Sequence, residues 1–536
     1  KMRILVAERI SDKGIEYLKK NVDVDVKLGL SMDELCKLMP NYDGLIVRST
    51  VKVNAELLDN SPNLKIIGRA GNGVDNIDIE EATKRGIIVV NTPDANSVSA
   101  AEHTIGLMLS CARNIPEAYC RIKRGDWRRN SLKGVELYKK TVGIIGLGRI
   151  GSIVASRLKS FQMKVIAYDP YVTDERFTKL GVERVNSLDE FLPRCDFITI
   201  HTPKTSETLG MIGYDELKRM KKTARIINCA RGGIIDEKAL KKALDEKLIG
   251  GAAIDVLEVE PLYDLKDGET QKYNNALLDS DNLIITPHLG ASTYEAQDNV
   301  GISVAKEVME ALHGMIVENA VNLPTVEKGE LNILKPYMEL SEKMGKLYYQ
   351  INKTSVNKIE IIYSGEVAKY NVRILTHSYL RGLLSSVSDR NINNVNSYYV
   401  AHDFGIDVVE ATSNECGNYT SLIRVKVYSG NQVRTFAGTV FGINDIRITE
   451  ISGYMIDVVP EKYLLLLNNK DKPGYVGRIG TMLGNADINI ATMRVSRNRK
   501  GEAALMAITV DDLVPEDVLN GINNMDGIEN TKFIMF

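Results

Sequence analysis

Short apolar runs that end in turn-forming residues alternate with segments of helical spacing from residue 2 to about residue 290. Runs of this kind predict strands that are covered on both faces, as parallel strands are in α/β proteins. The predicted strands are Met2–Ala7, Val24–Leu28, Gly44–Arg48, Lys65–Ala70, Ile87–Asn91, Lys140–Gly146, Lys164–Asp169, Phe197–His201, Arg225–Ala230, Ala252–Leu257 and Asn282–Pro287. We therefore expect an α/β fold with two doubly wound parallel sheets of the Rossmann type.

Two helical segments join these sheets in the predicted order. Ser97–Arg113 follows the turn-forming residues Asn91–Asp94, and Ser303–His313 follows the last predicted strand. This arrangement predicts that residues 96–292 form one domain. Residues 1–95 and 293–322 then form the other.

The pattern changes after the turn-forming residues Asn322–Pro324, where the alternation of strand and helix stops. Residues 323–458 carry strands of alternating polarity such as Leu422–Tyr428, which predict an α+β domain. Residues 459–536 follow the order β-α-β-β-α-β of a ferredoxin-like domain. Its predicted elements are Tyr463–Leu467, Tyr475–Leu483, Ile488–Val495, Ala503–Val510, Val514–Ile522 and Thr531–Met535.

Composition excludes several classes of function. The formal net charge of −2 provides no general basic field for nucleic acid. No apolar run approaches the roughly 18 residues of a membrane span, and a strand-like segment at the start argues against a signal peptide. The six cysteines form no CxxC pair and no framework spacing, which fits a reducing cytoplasm, and no metal-ligand cluster is visible.

A glycine-rich turn is the strongest local motif. The strand Thr141–Ile145 enters Gly146-x-Gly148-x-x-Gly151, and a helical segment follows. Glycines at the first two positions allow a tight turn and close approach to a pyrophosphate, and the third allows the helix to pack on the strand. The next strand ends in Asp169, whose carboxylate would accept a hydrogen bond from a ribose 2′-hydroxyl and repel a 2′-phosphate. The motif therefore favours NAD as the cofactor.

Three further strand ends carry Arg231, Glu260 and His288. Open α/β sheets bind ligands at the carboxyl ends of their strands. Histidine can move a proton near neutral pH, a carboxylate can orient its ring, and arginine can bind a carboxylate with two hydrogen bonds. Interconversion of a carbonyl and a hydroxyl requires these three groups, and they predict dehydrogenase chemistry. A structural role for Cys229, which lies beside them, is favoured over a catalytic one.

The motifs together resemble the D-isomer-specific 2-hydroxyacid dehydrogenases. The resemblance rests on the Gly146 fingerprint, Ala230–Gly233, Glu260-Pro261 and Pro287–Gly290, which stand in family order across residues 1 to about 320. Val47–Thr50, Gly68–Asp78 and Trp127 resemble those dehydrogenases of the family that act on D-3-phosphoglycerate. Resemblance to these members implies that the chain oxidises D-3-phosphoglycerate to 3-phosphohydroxypyruvate with NAD, the first step of serine biosynthesis.

The resemblance also implies a role for each site residue. His288 takes the hydroxyl proton, Glu260 holds its imidazole, and Arg231 binds the substrate carboxylate. The implied substrate contacts are Arg48, Ser49, Arg69, Asn72, Gly73, Arg231 and His288. The implied cofactor contacts are Gly146, Gly148, Arg149, Ile150, Gly151, Asp169, Thr202, Cys229, Ala230, Arg231, Asp255, His288 and Gly290.

Alternatives remain for several of these residues. Arg48 can be a surface charge at a strand end, and Arg69 can pair with a nearby acid. His103, His201 and His313 are expected to be structural, and His103 lies on a helix that the family uses at its subunit contact. Arg128 and Arg129, beside Trp127, either reach a neighbouring subunit's site or belong to a surface loop.

The last 200 or so residues resemble the intervening and ACT domains of long-form members of the family. Gly438–Gly442, Arg447-Ile448 and Ile451–Tyr454 carry the first resemblance, and Asn468–Arg497 carries the second. The ACT resemblance implies serine as an effector, with Asn469, Asp471 and Asn489 as candidate contacts. Asn469 stands where serine-inhibited members can carry histidine, and Asp471 where they can carry asparagine. An ACT pair that serves only as a dimerisation contact is the alternative.

Two other functions remain open at this point. One is a different D-2-hydroxyacid dehydrogenase, such as a reductase of glyoxylate or hydroxypyruvate. The other is a non-catalytic NAD sensor like the C-terminal-binding-protein corepressors, which share the fold. The regulatory tail favours the phosphoglycerate enzyme, as a homo-oligomer (dimer or tetramer) in the cytoplasm. A polar stretch, Asp264–Asn275, is longer than family members usually carry and is expected to loop out.

Overall fold

The computed structural model describes residues 2–261 and 272–536. The chain divides into two compact units. The first comprises Lys1–Val53, Gly68–Ile77 and Asn91–Met309, and the second comprises Asn54–Ile67, Asp78–Val90 and Glu310–Phe536.

The first sheet has five strands in the order β2-β1-β3-β4-β5, and β1 runs parallel to both of its neighbours. Its strands are β1 Arg3–Val6, β2 Asp23–Val26, β3 Gly44–Val47, β4 Ile66–Arg69 and β5 Ile88–Val90. The accompanying helices are α1 Asp12–Lys19, α2 Met32–Leu38, α3 Ala55–Asp59 and α4 Ile79–Lys84. Strand β3 is buried along its whole length, as its continuous apolar run predicts. Glu8 and Arg48 follow the carboxyl ends of β1 and β3, and Arg69 is the last residue of β4.

The second sheet has seven parallel strands in the order β12-β11-β10-β9-β6-β7-β8. The chain reaches it through α5 Ser97–Arg113 and α6 Ile115–Lys123. Its strands are β6 Thr141–Ile145, β7 Lys164–Tyr168, β8 Glu183–Arg184, β9 Phe197–Ile200, β10 Arg225–Asn228, β11 Gly251–Ile254 and β12 Leu283–Ile285. Its helices are α7 Arg149–Ser160, α8 Asp174–Leu180, α9 Leu188–Phe191, α10 Tyr214–Arg219 and α11 Glu237–Asp245, and α12 Tyr294–Leu312 leaves it. This doubly wound arrangement confirms the predicted fold class.

Helix α5 has the predicted bounds, whereas α12 begins at Tyr294 and not at Ser303. The start of α12 lies close to α5, because the hydroxyls of Ser99 and Thr293 are hydrogen-bonded at 2.7 Å. The two segments that leave and re-enter the first sheet are therefore tied to each other.

The second unit contains a six-stranded sheet in the order β14-β13-β15-β16-β17-β18. Its strands are β13 Lys358–Gly365, β14 Asp407–Ser413, β15 Ser421–Ser429, β16 Gln432–Phe441, β17 Asp445–Ile451 and β18 Tyr454–Val458, with helices α13 Lys328–Ile351, α14 Arg373–Ser385 and α15 Ser397–Asp403. The long helix α13, which the sequence did not predict, packs against α14 and shares one apolar core with the sheet. This core supplies the layer that the predicted strands need to cover them.

The last domain has the predicted order of elements: β19 Tyr463–Lys470, α16 Tyr475–Asn485, β20 Ile490–Arg497, β21 Ala503–Val510, α17 Glu516–Asn523 and β22 Ile528–Met535. Its antiparallel sheet has the strand order β20-β21-β19-β22 of a ferredoxin-like domain. The order of strand and helix patterns along the sequence was sufficient to predict this fold.

Three further points concern the described residues only. No helix in them combines the length and the apolar character that crossing a membrane requires. No group of three or more metal-ligating side chains is found in that part of the chain. Of the expected surface loop Asp264–Asn275, residues 264–271 lie outside the described residues.

Candidate active site

A cleft of about 970 Å³ lies at the carboxyl ends of the strands of both parallel sheets. Arg48 and Arg69 line it from the first sheet, and Arg231, Glu260 and His288 line it from the second. All residues that line it belong to the first compact unit. The structure thus brings the predicted acid–base residues and the predicted arginines to one place.

The glycine-rich turn forms between β6 and α7. Gly146 has a φ of +92°, and a Cβ added there would lie 2.5 Å from the carbonyl oxygen of His201. Gly148 has open space around its Cα and precedes α7, which has no side-chain cap. The first-turn amides of a helix carry positive partial charge, so this end of α7 suits a pyrophosphate.

Asp169 follows β7 beside this turn. Its Oδ2 accepts from the amide of Leu147 at 2.8 Å, and its Oδ1 accepts from the amides of Tyr171 and Val172 at 2.9 and 3.2 Å. A carboxylate oxygen has two lone pairs, so Oδ2 has the capacity for a further hydrogen bond.

Thr202 lies across the turn from Asp169, with its methyl group next to Gly146. Its hydroxyl is buried without a hydrogen-bond partner among the described atoms. A buried hydroxyl of this kind is free to bond a polar group of a bound ligand. Ile150 lines the cleft, and Arg149 pairs with Asp94. The residues around the turn therefore fit a dinucleotide.

The imidazole of His288 and the carboxylate of Glu260 form a close pair, with Nδ1 2.9 Å from Oε2. The other carboxylate oxygen of Glu260 accepts from the amide of Leu257 at 3.1 Å. His288 is 37% exposed, so its ring is reachable from the cleft. Its φ is +54°, a left-handed conformation that costs about 1–3 kcal/mol for a residue other than glycine. The surrounding loop must therefore hold this residue in place.

Asp255 holds that loop. Its side chain is 1% exposed and accepts from the amides of Leu289 and Gly290 at 2.8 and 2.9 Å. The hydroxyl of Thr286 donates to it at 2.6 Å. Burial raises the pKa of Asp255, but hydrogen bonds from His103, Thr286 and Leu289 outweigh this and lower it overall. Asp255 is therefore an ionised anchor beneath residues 286–290, the His288 loop.

The imidazole of His103 also contacts Asp255. Its Nε2 lies 3.1 Å from Oδ1 of Asp255 and 3.3 Å from the hydroxyl of Thr286. The sequence predicted a structural role for this histidine on a helix used for subunit contact. The structure places its ring against the anchor of the catalytic loop, which sequence patterns do not reveal.

The turn that carries Arg231 is fixed by the buried side chain of Asn228. Its side-chain oxygen accepts from the backbone N–H of Ala230, and its side-chain nitrogen donates to the carbonyl of Arg231, both at 3.0 Å. The guanidinium extends toward Gly73, where any Cβ would overlap its Nη2. Its Nε lies 3.5 Å from Asp75, and its Nη1 donates to the carbonyl of Ala230 at 2.7 Å.

Arg69 lies in the same positive field. Burial lowers its pKa to about 10, assisted by the charges of Arg231 and Arg48 and opposed by those of Glu8 and Asp75. Its Nη1 donates to the carbonyl of Ala70 at 2.7 Å, and its Nε is buried without a partner among the described atoms. A guanidinium whose charge is disfavoured in the free protein is well placed to bind an anion.

Glu8 is a site residue that the sequence did not single out. It is 5% exposed and accepts from the amides of Arg48, Thr50 and Val51 at 2.6, 3.0 and 3.1 Å. It therefore fixes the loop that presents Arg48 and the exposed Ser49 to the cleft. Its position directly after the first strand was the available signal. Asn72, Arg9 and Lys52 also line the cleft, and the last two were not predicted.

Two candidate residues have environments that argue against chemistry. Burial raises the pKa of the Cys229 thiol to about 12, and the charge of Asp255 adds to this. Burial lowers the pKa of His201 to about 3, and its Nε2 lies 2.9 Å from the hydroxyl of Thr199. A thiol and an imidazole in these states are neutral at physiological pH.

Trp127 and Arg128 are not among the residues that line the cleft of the described chain. Trp127 is 78% exposed. The guanidinium of Arg128 binds Asp126 through two hydrogen bonds, at 2.9 and 2.7 Å. Whether this loop or Arg129 reaches another subunit stays a prediction.

The three candidate effector residues lie in the second unit, and the structure gives them different partners. Asp471 accepts from the amide of Gly501 and from Arg497 at 2.9 and 2.8 Å, which lowers its pKa. Asn489 donates to Asp511 at 2.6 Å. Asn469 keeps a buried side-chain oxygen without a partner among the described atoms. These side chains therefore do not form one hydrogen-bond network.

Three family models match the chain. The NAD binding domain of D-isomer specific 2-hydroxyacid dehydrogenases matches residues 105–290. The D-3-phosphoglycerate dehydrogenase intervening domain matches residues 333–452, and the ACT domain matches residues 463–525.

Solved structures resemble about 60% of the chain. A protein from Thermus thermophilus is 32% identical, with a TM-score of 0.54, and covers 60% of this chain and 100% of its own. An NADPH-dependent glyoxylate/hydroxypyruvate reductase from Sinorhizobium meliloti, in complex with NADP and malonate, is 28% identical. Its TM-score is 0.53, and the match covers 60% of this chain and 96% of its own.

Curated relatives match along the whole length. D-3-phosphoglycerate dehydrogenase of Methanocaldococcus jannaschii is 44% identical over 533 residues, 99% of each chain. The enzyme of the same name from Archaeoglobus fulgidus is 42% identical over 99% of this chain and all of its own, and that of Bacillus subtilis is 41% identical over 99% of each. With its NAD-binding domain and this full-length similarity, the chain is an NAD-dependent oxidoreductase that belongs to the D-3-phosphoglycerate dehydrogenase family.

Proposed function

We propose that the enzyme oxidises D-3-phosphoglycerate to 3-phosphohydroxypyruvate with NAD, the first step of serine biosynthesis. The observation that carries the proposal is the convergence of Arg48, Arg69 and Arg231 with the His288–Glu260 pair in one cleft. A substrate with a carboxylate at one end and a phosphate at the other requires more than one guanidinium. Oxidation of a carbon that carries a hydroxyl requires a group that accepts the hydroxyl proton.

The proton leaves through His288. Because its Nδ1 faces Glu260, the second ring nitrogen, Nε2, is the one that takes the hydroxyl proton from C2. Glu260 stabilises the imidazolium that results and keeps the ring oriented. NAD, when bound, accepts the hydride that C2 releases. The products are the 2-oxo acid, NADH and one proton, which later leaves His288 for solvent.

Arg231 binds the substrate carboxylate and, through it, sets the position of C2. Its guanidinium is placed by the Asn228-braced turn and by the space that Gly73 leaves. Arg69 and Arg48 bind the phosphate or the far carboxylate oxygen, with Ser49, Asn72 and Gly73 around them. The three guanidinium charges in the cleft favour a substrate with two anionic groups over unphosphorylated 2-hydroxy acids.

The cofactor is held by the glycine-rich turn and its surroundings. The end of α7 receives the pyrophosphate, and Asp169 accepts from the adenosine ribose. Thr202, Ala230, Asp255 and Gly290 are the further proposed contacts of the cofactor.

The test is a coupled measurement of NADH absorbance at alkaline pH, with NAD, D-3-phosphoglycerate and a trap for the ketone. We expect turnover that saturates with phosphoglycerate. Brisk reduction of glyoxylate or hydroxypyruvate without turnover of phosphoglycerate would assign the chain to that class of reductase. NADH binding without turnover of either class of substrate would indicate an NAD sensor.

Regulation and assembly extend the proposal. The ACT domain provides for a small-molecule effector, and serine is the proposed ligand. An ACT pair that serves only as a dimerisation contact is the alternative. Inhibition by serine at millimolar concentration would decide for the first alternative, and its absence for the second. A homo-oligomer, dimer or tetramer, is proposed and is measurable by light scattering.

Domain division and location are also proposed. The division is 1–95 with 293–322, 96–292, 323–458 and 459–536. The cytoplasm is the proposed compartment, which six free cysteines in the described residues support.

A further inference from the structure

The side chain of His103 is the only donor to Asp255 among the described residues that comes from outside residues 286–290. It projects from α5, the helix that follows the crossing between the two sheets. The other three donors are Thr286, Leu289 and Gly290, all members of the His288 loop. His103 therefore links the loop's buried anchor to a separate, rigid element.

The linkage matters because the loop is strained. His288 is held at a φ of +54° and must present its imidazole at a fixed distance from the reacting carbon. Three bonds from the loop to Asp255 fix the loop relative to that carboxylate alone. The bond from His103 fixes the carboxylate, and with it the loop, relative to α5. The Ser99–Thr293 hydroxyl pair makes a second connection between α5 and the segment that follows the loop.

We infer that His103 is a positioning residue for the proposed dehydrogenation: it acts through Asp255 to hold the His288 loop at the reacting carbon. It touches neither substrate nor cofactor in this role. The inference rests on the proposed function for the identity of the substrate. The geometric part of the inference is independent of the proposed function, because reduction of any 2-oxo acid by this enzyme would depend on the same loop.

The experiment compares two substitutions at residue 103 in the full-length enzyme. His103→Met removes the donor and keeps an unbranched side chain of similar length. His103→Gln places an amide nitrogen where the imidazole Nε2 lies and restores the donor. For each variant we would measure kcat, KM for NAD, NADH binding by fluorescence, and the isotope effect on kcat/KM with phosphoglycerate deuterated at C2.

We expect His103→Met to lower kcat roughly 10- to 100-fold, the range that follows from displacing a reacting group by up to about 1 Å. The isotope effect should rise in this variant, because the step at C2 becomes slower than substrate release. His103→Gln should recover kcat to within a few-fold of the wild type. NADH binding should stay within a few-fold throughout.

A matched control is His377→Met in the second unit. His377 is a buried histidine, whereas His103 is partly buried, and the Nδ1 of His377 is hydrogen-bonded to the carbonyl of Asn394 at 2.5 Å. Its loss should lower the melting temperature without raising the isotope effect. If His103→Met does not fold, His103→Asn replaces it, since the shorter amide stops short of Asp255.

The inference is overturned if His103→Met keeps the wild-type kcat and isotope effect. Equal losses in the Met and Gln variants would also overturn it, because packing and not the donor would then be responsible. Failure of the proposed function has a different signature. In that case the wild type does not oxidise phosphoglycerate, and the same comparison is made with NADH and the 2-oxo acid that it reduces.

Discussion

Replacing Arg69 by methionine should stabilise the free enzyme or leave its stability unchanged, while it removes most of the binding of substrate. Burial and the charges of Arg231 and Arg48 lower the pKa of this guanidinium from 12.5 to about 10. A cation whose pKa is lower in the folded protein than in the unfolded chain costs stability when it is charged. That cost is fully present below pH 10 and fades as the pH approaches 12.5.

The size of the effect follows from this shift. It corresponds to about 3 kcal/mol of unfavourable free energy at neutral pH. Methionine would relieve it but would lose the hydrogen bond from Nη1 to the carbonyl of Ala70, worth about 1.5–3 kcal/mol for a charged donor. The net gain in the free energy of unfolding is therefore between about 0 and 2 kcal/mol.

Substrate binding should change in the opposite direction. Loss of one charged partner in a buried ion pair costs at least about 2 kcal/mol, so KM for phosphoglycerate should rise roughly 30-fold or more. Saturating phosphoglycerate, at about 100 times its Kd, should stabilise the wild type by about 2.7 kcal/mol and the variant much less.

The assay is urea unfolding and a thermal scan, each with and without phosphoglycerate, together with steady-state kinetics. Arg390→Met serves as the control, since this exposed arginine pairs with Asp403 at 2.6 Å in the second unit. An exposed pair contributes about 0–1 kcal/mol, and KM should not change. If Arg69→Met lost more than about 2 kcal/mol of stability and kept its KM, Arg69 would be a structural residue and the anion site would lie elsewhere.

Three further predictions concern the proton, the cofactor and the thiol. His288→Asn should lower kcat by roughly 10²–10⁴-fold, which is the usual contribution of general base catalysis. The Kd for NADH, measured by fluorescence titration, should stay within a few-fold of the wild type. Retained turnover would mean that another group accepts the proton. Asp169→Ala should lower kcat/KM for NAD roughly tenfold or more, because a charge-assisted hydrogen bond to the ribose is lost. The preference for NAD over NADP should narrow, because the charge that repels the 2′-phosphate is also lost. If the ratio of kcat/KM for NAD to that for NADP did not change, another residue would be responsible for the discrimination. Burial raises the pKa of the Cys229 thiol to about 12, so this thiol should stay unlabelled by a thiol reagent at pH 8. The exposed Cys120 should react, and peptide mass spectrometry would distinguish the two. Equal labelling of both cysteines would contradict the raised pKa of Cys229.

The parts of the fold that could be predicted are those set by local pattern. Strands such as β3 and β21 are continuous apolar runs, and α5 has turn-forming residues before it and an Asn in the left-handed conformation at its end. The glycine fingerprint was recognisable because a tight turn constrains neighbouring residues in the chain. Helix α13 was missed because its apolar positions make sense only against the sheet that it covers.

The site shows the same division. Three catalytic candidates could be predicted because they lie just after strands or inside recognisable motifs: Arg231, Glu260 and His288. Glu8 acts on amides some 40 residues away, and His103 acts on a carboxylate 152 residues away. Contacts of that span are made by tertiary structure. The position of Glu8 after the first predicted strand indicates the edge of the sheet, but no local pattern in the sequence shows which groups Glu8 or His103 contacts.

The space at Gly73 has a consequence for how tolerance to mutation is distributed over this enzyme. Residue 73 contributes no reactive atom, yet even an alanine methyl there would overlap the guanidinium of Arg231. The overlapping atoms are the far end of a flexible side chain, so a larger residue at position 73 is expected to displace this guanidinium and weaken substrate binding without unfolding the chain. Surveys that search for function only among polar residues will overlook this position.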